Sequence, residues 1–235
     1  MIYVMSDIHG HKDRFENLIQ KLNLSPDDTL YILGDVVDRF PDGIRILRKV
    51  METPNIQMLL GNHEYMMLSA LYDPVEAETE WESEEDIRRY RMRLWYNNGG
   101  ECTHQYLKRI RKTVRQEIFE YLTALPVNIE ITVSGRDFIL AHAAIAANYE
   151  SEGWQYDDER EFAVWYRNVL STYVPEGKTL IFGHTPTERF QPYVLPLEIW
   201  KGKNKIGIDC GSGYKFPGRL GCLRLDDMTE FYSDF

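Results

Sequence analysis

Three short polar motifs recur at a nearly constant interval near the start of the chain, and each follows a run of apolar residues. The motifs are Asp7-Ile8-His9-Gly10, Gly34-Asp35-Val36-Val37-Asp38-Arg39 and Gly61-Asn62-His63-Glu64. The interval from Asp7 to Asp35 is 28 residues, and the interval from Asp35 to Asn62 is 27. A strand–helix–strand unit has about that length, roughly 30 residues, so the spacing predicts a βαβαβ segment over residues 1–63. Ligands bind beyond the carboxyl ends of the strands in such sheets, and we expect the motifs to meet at one edge.

The rest of the chain contains further strand and helix patterns. Residues 127–141 have the pattern of a hairpin with a turn at Ser134-Gly135, and residues 179–182 have the pattern of a strand. His142 follows the hairpin directly, and His184 follows the strand after Gly183. A helical pattern lies between them, near residues 159–170. Short strand patterns follow at residues 205–209, 221–225 and 229–232. Because no linker or repeat interrupts this order, we predict a single domain over residues 1–235, with a helical insertion at about residues 73–125.

The predicted insertion begins with the most strongly charged stretch of the chain. Residues 73–86 carry eight acidic side chains and no basic one, and arginines follow at positions 88, 89, 91 and 93. Acidic residues early in a helix and basic residues later complement the helix dipole, and Ser83 with Asp86 resembles a capping box. A solvated helix is the simpler interpretation. The alternative is a cap over the site that selects substrates by charge.

The composition limits the classes of function. The formal net charge is −10, whereas a protein that binds duplex nucleic acid usually presents a basic face. No apolar stretch approaches the roughly 20 residues of a membrane span, and the chain enters a strand without the segments of a secretory signal. The three cysteines are far apart and match neither a disulfide framework nor a zinc motif. We therefore expect a cytoplasmic protein that binds neither duplex nucleic acid nor a membrane.

The residues at the predicted strand ends have the donor atoms of a metal site. Carboxylates, an amide oxygen and imidazoles suit divalent manganese, iron or zinc; these candidate ligands are Asp7, His9, Asp35, Asn62, His142 and His184. Two cations about 3.5–4 Å apart can clamp a phosphoryl group and activate a water for in-line attack, with Asp35 as a bridging carboxylate. Each residue alone has an ordinary explanation as a cap, a turn residue or a buried histidine. Five strand ends that all carry such residues favour one common site.

Three further residues match the needs of phosphate chemistry. His63 adjoins Asn62 and should point elsewhere, which makes it a candidate general acid for the leaving oxygen. Asp38 is a candidate to orient the imidazole of His63. Arg39 can donate two parallel hydrogen bonds to phosphate oxygens.

These motifs resemble those of the phosphoprotein phosphatase family within the calcineurin-like metallophosphatase superfamily. The family's marks are D-x-H-G, G-D-x-x-D-R and G-N-H-E, followed by two later histidines, the last of them here in Gly183-His184-Thr185-Pro186. The resemblance implies an α+β (α/β) fold of four layers, in which two mixed sheets pack face to face between helices. It also implies two divalent metal ions, of which manganese is favoured over iron or zinc.

The resemblance distributes the residues between the two ions. It assigns Asp7, His9 and Asp35 to the first ion. It assigns Asn62, His142 and His184 to the second, with Asp35 as the bridge. It implies that His63 donates a proton with the support of Asp38, and that Arg39 and a later arginine, for which we choose Arg167, hold the phosphate.

Two departures from the family's eukaryotic members resemble the small bacterial and phage branch of that family. Ala143-Ala144 follows the first late histidine, where those members usually have two glycines, and the chain is shorter than those enzymes. The segment Asn97-Asn98-Gly99-Gly100-Glu101 is also similar to that branch. The expected function is a phosphomonoesterase acting on phosphoproteins (Ser/Thr, with Tyr also open) or a small phosphoester. The alternative is a symmetrical dinucleoside tetraphosphate hydrolase, whose extra phosphates the arginines at 88–93 would meet. A non-catalytic metal-binding module and a nucleic-acid phosphodiesterase are further alternatives.

Overall fold

The computed structural model describes residues 1–74 and 83–234. Residues 75–82, which belong to the acidic segment at 73–86, lie outside the described residues. The helix predicted there is described from its cap, Ser83, onward. In chain order the elements are β1 (Ile2–Met5), α1 (Lys12–Leu22), β2 (Thr29–Ile32), α2 (Gly43–Glu52), β3 (Ile56–Met58), α3 (Asn62–Leu71), α4 (Glu84–Asn97), α5 (Glu101–Leu107), α6 (Lys112–Thr123), β4 (Asn128–Val133), β5 (Arg136–Ala141), α7 (Tyr149–Glu152), α8 (Glu159–Trp165), β6 (Lys178–Phe182), β7 (Trp200–Lys201), β8 (Lys205–Gly207), β9 (Gly221–Arg224) and β10 (Thr229–Tyr232).

The first sheet has the strand order β10-β9-β1-β2-β3. Strands β1, β2 and β3 are parallel, as the βαβαβ prediction requires; β9 pairs antiparallel with β1, and β10 pairs antiparallel with β9. Tyr3 and Met5 pack into one buried cluster, whereas Val4 packs into the other. A parallel strand that is covered on both faces reads as a continuous apolar run, which is why β1 shows no alternation.

The second sheet has the strand order β4-β5-β6-β8-β7. Strands β5, β6 and β8 are parallel, so their carboxyl ends share one edge. Strand β4 pairs antiparallel with β5. The predicted turn joins them at Ser134 and Gly135, which have left-handed backbone angles of φ 51° and 74°.

The two sheets pack face to face. Their interior contains Val4 and Leu223 from the first sheet and Leu140, Ile181 and Ile206 from the second. The outer face of the first sheet packs against α1, α2, α3 and α6, and the outer face of the second packs against the segments around α7 and α8. The predicted fold of two mixed sheets between helices is confirmed.

Some element boundaries, and one whole helix, differ from the sequence-based expectation. The predicted helix at 159–170 ends at Trp165, because Tyr166 turns to an extended backbone (φ −62°, ψ 131°). The predicted strand at 205–209 ends at Gly207. Helix α3 was not anticipated, since residues on all its faces are buried and it therefore lacks the polar stripe of an amphipathic helix. Ser83 does cap α4, accepting a hydrogen bond from the Asp86 backbone at 3.2 Å.

Within residues 1–74 and 83–234, no helix has the length and apolarity that a membrane crossing requires.

Candidate metal and phosphate site

The carboxyl ends of five parallel strands bring the candidate ligands together. Asp7 follows β1, Asp35 follows β2, and Asn62 follows β3 as the first residue of α3; His142 and His184 follow β5 and β6 of the second sheet. Two of the contacts that join the sheets here involve backbone groups. The His184 backbone N–H donates to Asp7 Oδ2 at 2.9 Å, and His142 Nδ1 lies 2.7 Å from the carbonyl oxygen of Leu33.

The backbone at this edge is unusual. Nine non-glycine residues in the described part of the chain have positive φ, and six of them are candidate site residues: Asp7, His9, Asp35, Asp38, Arg39 and His184. Left-handed backbone at such residues costs of order 1 kcal/mol or more each. Strain of this kind persists only where surrounding contacts hold it, and it clusters at functional sites.

The first candidate ligand group lies around one oxygen of Asp35. His9 Nε2 is 3.7 Å from Asp35 Oδ2 and 3.8 Å from Asp7 Oδ1, and all three residues are buried. The other ring nitrogen of His9 lies 3.3 Å from the carbonyl oxygen of Val37, which turns Nε2 towards the carboxylates. His63 Nε2 is also 3.8 Å from Asp35 Oδ2.

The second candidate group lies around the other oxygen of Asp35. His142 Nε2 is 3.5 Å from Asp35 Oδ1 and 3.0 Å from Asn62 Oδ1. His184 Nδ1 is 2.9 Å from the same amide oxygen. Its Nε2 lies 3.2 Å from the carbonyl oxygen of Trp165, so only Nδ1 faces the group.

Both groups fit a divalent cation. Ligand atoms held about 2.1 Å from one metal ion lie roughly 3–4 Å from each other, and the separations in both groups fall close to that range. The combination of carboxylate, amide and imidazole donors suits a first-row divalent metal. Asp35 presents one oxygen to each group, which is what a bridging ligand requires.

The electrostatics of the site agree with this fit. Burial lowers the pKa of His9, His142 and His184, which favours the neutral imidazole that a metal ligand requires. Burial, with Asp7 and Glu64 acting in the same direction and His63 opposing them, raises the pKa of Asp35 to about 8. Burying a carboxylate is costly unless it is paired, and divalent cations would supply the missing positive charge.

His63 and Asp38 form a close pair beside the first group. His63 Nδ1 lies 2.8 Å from Asp38 Oδ2, and Arg39 Nη2 lies 3.3 Å from His63 Nε2. Because a guanidinium can only donate, Nε2 accepts here and Nδ1 carries the proton that is donated to Asp38. A cation so close to Nε2 disfavours His63 as a metal ligand, although its position relative to Asp35 would allow it.

The two candidate phosphate-binding arginines are both exposed beside the buried ligands. Arg39 packs over the ring of Tyr214, with 5.3 Å from Cζ to the ring centroid. Arg167 lies beyond the end of α8, and its Nη1 donates to the carbonyl oxygen of His184 at 3.3 Å. Had α8 continued to residue 170, Arg167 would have stayed on the helix; the early end of α8 is what places it beside the second group.

Two further buried acidic residues lie at the site, and neither of them has a role predicted from the sequence. Glu64 is fully buried, and its carboxylate accepts hydrogen bonds from the backbone N–H groups of Asp35, Val36, Val37 and Gly61. Asp209 is buried just past β8, where burial and the neighbouring Asp7 raise its pKa. A polar residue just beyond an apolar strand was the available signal for Asp209, as it was for the ligands.

A cavity of about 510 Å³ adjoins the second group. It lies between α3, α4 and α8, and its lining includes Tyr65, Arg91, Asp157, Glu161 and Trp165. The Trp165 ring centroid is 6.1 Å from that of His184, so one wall of the cavity contacts a candidate ligand.

Three of the four arginines that could bind extra phosphates have other partners. Arg88 pairs with Glu84, and Arg89 pairs with Glu85 and Asp86. Arg91 donates from Nη1 to the carbonyl oxygens of residues 69 and 74.

The chain belongs to the calcineurin-like phosphoesterase family, which matches residues 1–202. Serine/threonine-protein phosphatase 2 from Salmonella typhimurium is 28% identical over 224 residues, covering 90% of this chain and 87% of the relative. A symmetrical bis(5'-nucleosyl)-tetraphosphatase from Delftia acidovorans is 42% identical over 234 residues, covering 97% of this chain and 71% of the relative. The match to a symmetrical bis(5'-nucleosyl)-tetraphosphatase from Acidovorax ebreus covers 46% of that relative's length.

A solved structure of a candidate diadenosine tetraphosphatase superposes with a TM-score of 0.61 at 18% identity, covering 98% of this chain and 91% of that one. That likeness supports the fold alone.

Proposed function

We propose that this protein is a metal-dependent phosphomonoesterase that acts on phosphoproteins. The observation that carries the proposal is the position of Asp35, which presents one carboxylate oxygen to His9 at 3.7 Å and the other to His142 at 3.5 Å. A carboxylate between two donor groups is suited to a pair of divalent cations that share one phosphoryl group. Manganese is the ion we expect, with iron or zinc as alternatives, because the donors combine hard oxygens with imidazoles.

Six side chains would hold the ions: Asp7, His9, Asp35, Asn62, His142 and His184. When bound, the cations would supply Lewis-acid stabilisation of the phosphoryl oxygens and an activated water. Arg39 and Arg167 flank the ligands and would orient the phosphate by donating hydrogen bonds to its oxygens.

His63 would complete the reaction as the general acid. As water adds to phosphorus and the bond to the leaving oxygen breaks, that oxygen keeps the bonding electrons and takes a proton from Nε2 of His63, which must enter this step as the doubly protonated imidazolium, with Arg39 donating to the phosphate instead of to Nε2. Asp38, 2.8 Å from Nδ1, would hold the ring so that Nε2 faces the phosphate. The products are inorganic phosphate and the free hydroxyl group of the substrate.

The adjoining cavity favours a phosphoprotein over a dinucleoside polyphosphate. Asp157 and Glu161 line it, together with Asp86, which pairs with Arg89; among the described lining residues there is one arginine, Arg91, which is tied to backbone carbonyls. A chain of extra phosphates would face these carboxylates and be repelled. A peptide with a lysine or arginine near its phosphorylated residue would be attracted.

Symmetrical hydrolysis of dinucleoside tetraphosphates is the second candidate function. It is favoured by the relative from Delftia acidovorans, which is 42% identical over 234 residues. The same ligands and the same general acid would serve that reaction, so the choice between the two depends on the surface around the site.

One experiment tests the reaction and a second tests the substrate. Protein loaded with Mn²⁺ should hydrolyse an aryl phosphate such as 4-nitrophenyl phosphate, and failure to do so with metal bound would overturn the proposed function. The loaded enzyme should then turn over a phosphoserine peptide with basic flanking residues faster than diadenosine tetraphosphate. Faster turnover of diadenosine tetraphosphate than of the peptide would favour the second candidate function, hydrolysis of dinucleoside tetraphosphates.

A further inference from the structure

The carboxylate of Asp38 receives a second hydrogen bond from a distant helix. Trp95, near the end of α4, is fully buried, and its indole Nε1–H donates to Asp38 Oδ2 at 2.9 Å. This is the same oxygen that lies 2.8 Å from His63 Nδ1. Asp38 Oδ1 is buried without a hydrogen-bond partner among the described residues, so both contacts converge on a single atom.

The segment that follows Trp95 also holds the backbone of Asp38 and its neighbour. The N–H of Asp38 donates to Thr103 Oγ1 at 3.1 Å, and the N–H of Arg39 donates to the carbonyl oxygen of Gly99 at 3.1 Å. Asp38 and Arg39 both have left-handed backbone, with φ of 71° and 66°. Two consecutive strained residues need external contacts to persist, and residues 95–103 provide them.

The position of the indole ring is closely defined. A Cβ atom added at Gly100 would lie 2.3 Å from Trp95 Nε1 and 2.5 Å from two ring carbons. Gly100 itself has an ordinary backbone conformation (φ −71°, ψ −10°), so a side chain is excluded by the ring alone. The ring therefore packs directly on the backbone at Gly100.

We infer that Trp95 is a positioning residue for the general acid: its indole N–H fixes the Asp38 carboxylate, which in turn fixes the imidazole of His63. This inference rests on the proposed function and adds a role for α4 in it. A carboxylate that accepts a single hydrogen bond can rotate about its side-chain bonds. Two donors on one of its oxygens restrict that rotation. The imidazole that it orients then keeps Nε2 directed at the phosphate.

If Trp95 positions the general acid, its loss should affect substrates unequally, depending on the basicity of the leaving oxygen. A simple loss of packing should lower the activity on all substrates alike. General-acid catalysis matters most when the leaving oxygen is strongly basic. The serine alkoxide of a phosphoserine peptide needs the proton, whereas 4-nitrophenolate leaves readily without it. Weaker positioning of His63 should therefore slow the peptide reaction much more than the aryl phosphate reaction.

The test uses two variants that remove the indole contact in different ways. Trp95→Phe keeps an aromatic ring and removes the donor, and Gly100→Ala keeps the donor and displaces the ring. In both we expect kcat for the phosphoserine peptide to fall about tenfold or more, since a general acid contributes about 10²–10⁴-fold in total. We expect KM and metal content to stay the same, and kcat for 4-nitrophenyl phosphate to fall about threefold or less.

Matched controls come from the far edge of the second sheet. Trp200 on β7 packs on Phe190 with ring centroids 4.8 Å apart, and a Cβ atom at Gly202 would meet its ring at 2.5 Å. Trp200→Phe and Gly202→Ala make the same chemical changes away from the site, and both should leave the ratio of the two activities unchanged. An equal loss on both substrates in the Trp95 and Gly100 variants, or no loss, would overturn the inference.

An NMR measurement separates this inference from the proposed function. The indole N–H resonance that disappears in Trp95→Phe belongs to Trp95, and it should shift in Asp38→Asn, which changes the acceptor group. If the resonance does not move, the contact is absent and the inference fails, whatever the activity. If it moves but the wild-type protein hydrolyses neither phosphate, the proposed function fails and the contact stands.

Discussion

Replacing Glu64 by glutamine should destabilise the protein more than any exposed Glu→Gln change. One carboxylate oxygen accepts from the N–H groups of Val36 at 2.8 Å and Val37 at 3.1 Å, and the other accepts from Asp35 at 2.8 Å and Gly61 at 3.2 Å. A glutamine side chain has one oxygen and one NH₂ group. In either orientation of the amide, two of the four backbone donors lose their acceptor and face another donor.

The size of the effect follows from these four bonds. A hydrogen bond to a charged group contributes about 1.5–3 kcal/mol, so two lost bonds cost about 3–6 kcal/mol. Part of that loss is offset, because an amide is less costly to bury than a carboxylate, and burial raises the pKa of Glu64. We expect the free energy of unfolding to fall by about 2–4 kcal/mol, a large share of the roughly 5–15 kcal/mol that stabilises a typical protein.

Urea unfolding followed by tryptophan fluorescence measures this loss, and chelator in the buffer keeps metal binding out of the comparison. Glu16→Gln is the control: Glu16 is exposed on α1 and pairs with Lys12 at 3.6 Å, and such pairs contribute about 0–1 kcal/mol. Metal content should also fall in Glu64→Gln, since groups that hold a ligand in place affect metal affinity about 10–100-fold. A loss of unfolding free energy below about 1 kcal/mol would refute the assigned role of Glu64.

Three further predictions concern the reaction. His63→Asn should lower kcat about 10²-fold or more while metal content stays the same; loss of metal would contradict the assignment of His63 as the general acid. Chelation should abolish activity and lower the melting temperature, and Mn²⁺ at about 100 times its dissociation constant should restore about 2.7 kcal/mol of stability per ion; a melting temperature indifferent to metal would contradict both ligand groups. Asp157→Asn with Glu161→Gln should raise turnover of diadenosine tetraphosphate relative to that of a basic phosphopeptide, and an unchanged ratio would show that the cavity does not select substrates.

The strand ends of the site could be predicted from the sequence because their signal is local. Asp7, Asp35 and Asn62 each follow a short apolar run, and a regular interval separates them. His142 and His184 likewise end apolar runs. Parallel strands then bring such residues to one edge, so the spacing along the chain was sufficient to group them.

The contacts that hold the site could not be predicted in this way. The indole of Trp95 meets Asp38 only because α4 packs against α3, next to the strand ends. The left-handed backbone conformation of His9 and His184 cannot be recognised from the residue type. The early end of α8 also depends on tertiary contacts, since the Trp165 carbonyl oxygen lies 3.2 Å from His184 Nε2 and would be less available inside a longer helix.

The division of ligands between the two sheets gives the two candidate ions different structural consequences. The first group takes Asp7, His9 and Asp35 from the first sheet alone. The second group joins Asn62 to two histidines at the strand ends of the second sheet. A cation in the second group would therefore connect the sheets directly, whereas a cation in the first would stabilise one set of strand ends. Since Asp35 contributes to both groups, and Glu64 holds its backbone, a carboxylate that bridged the two ions would couple packing of the two sheets to the geometry of the candidate phosphate site.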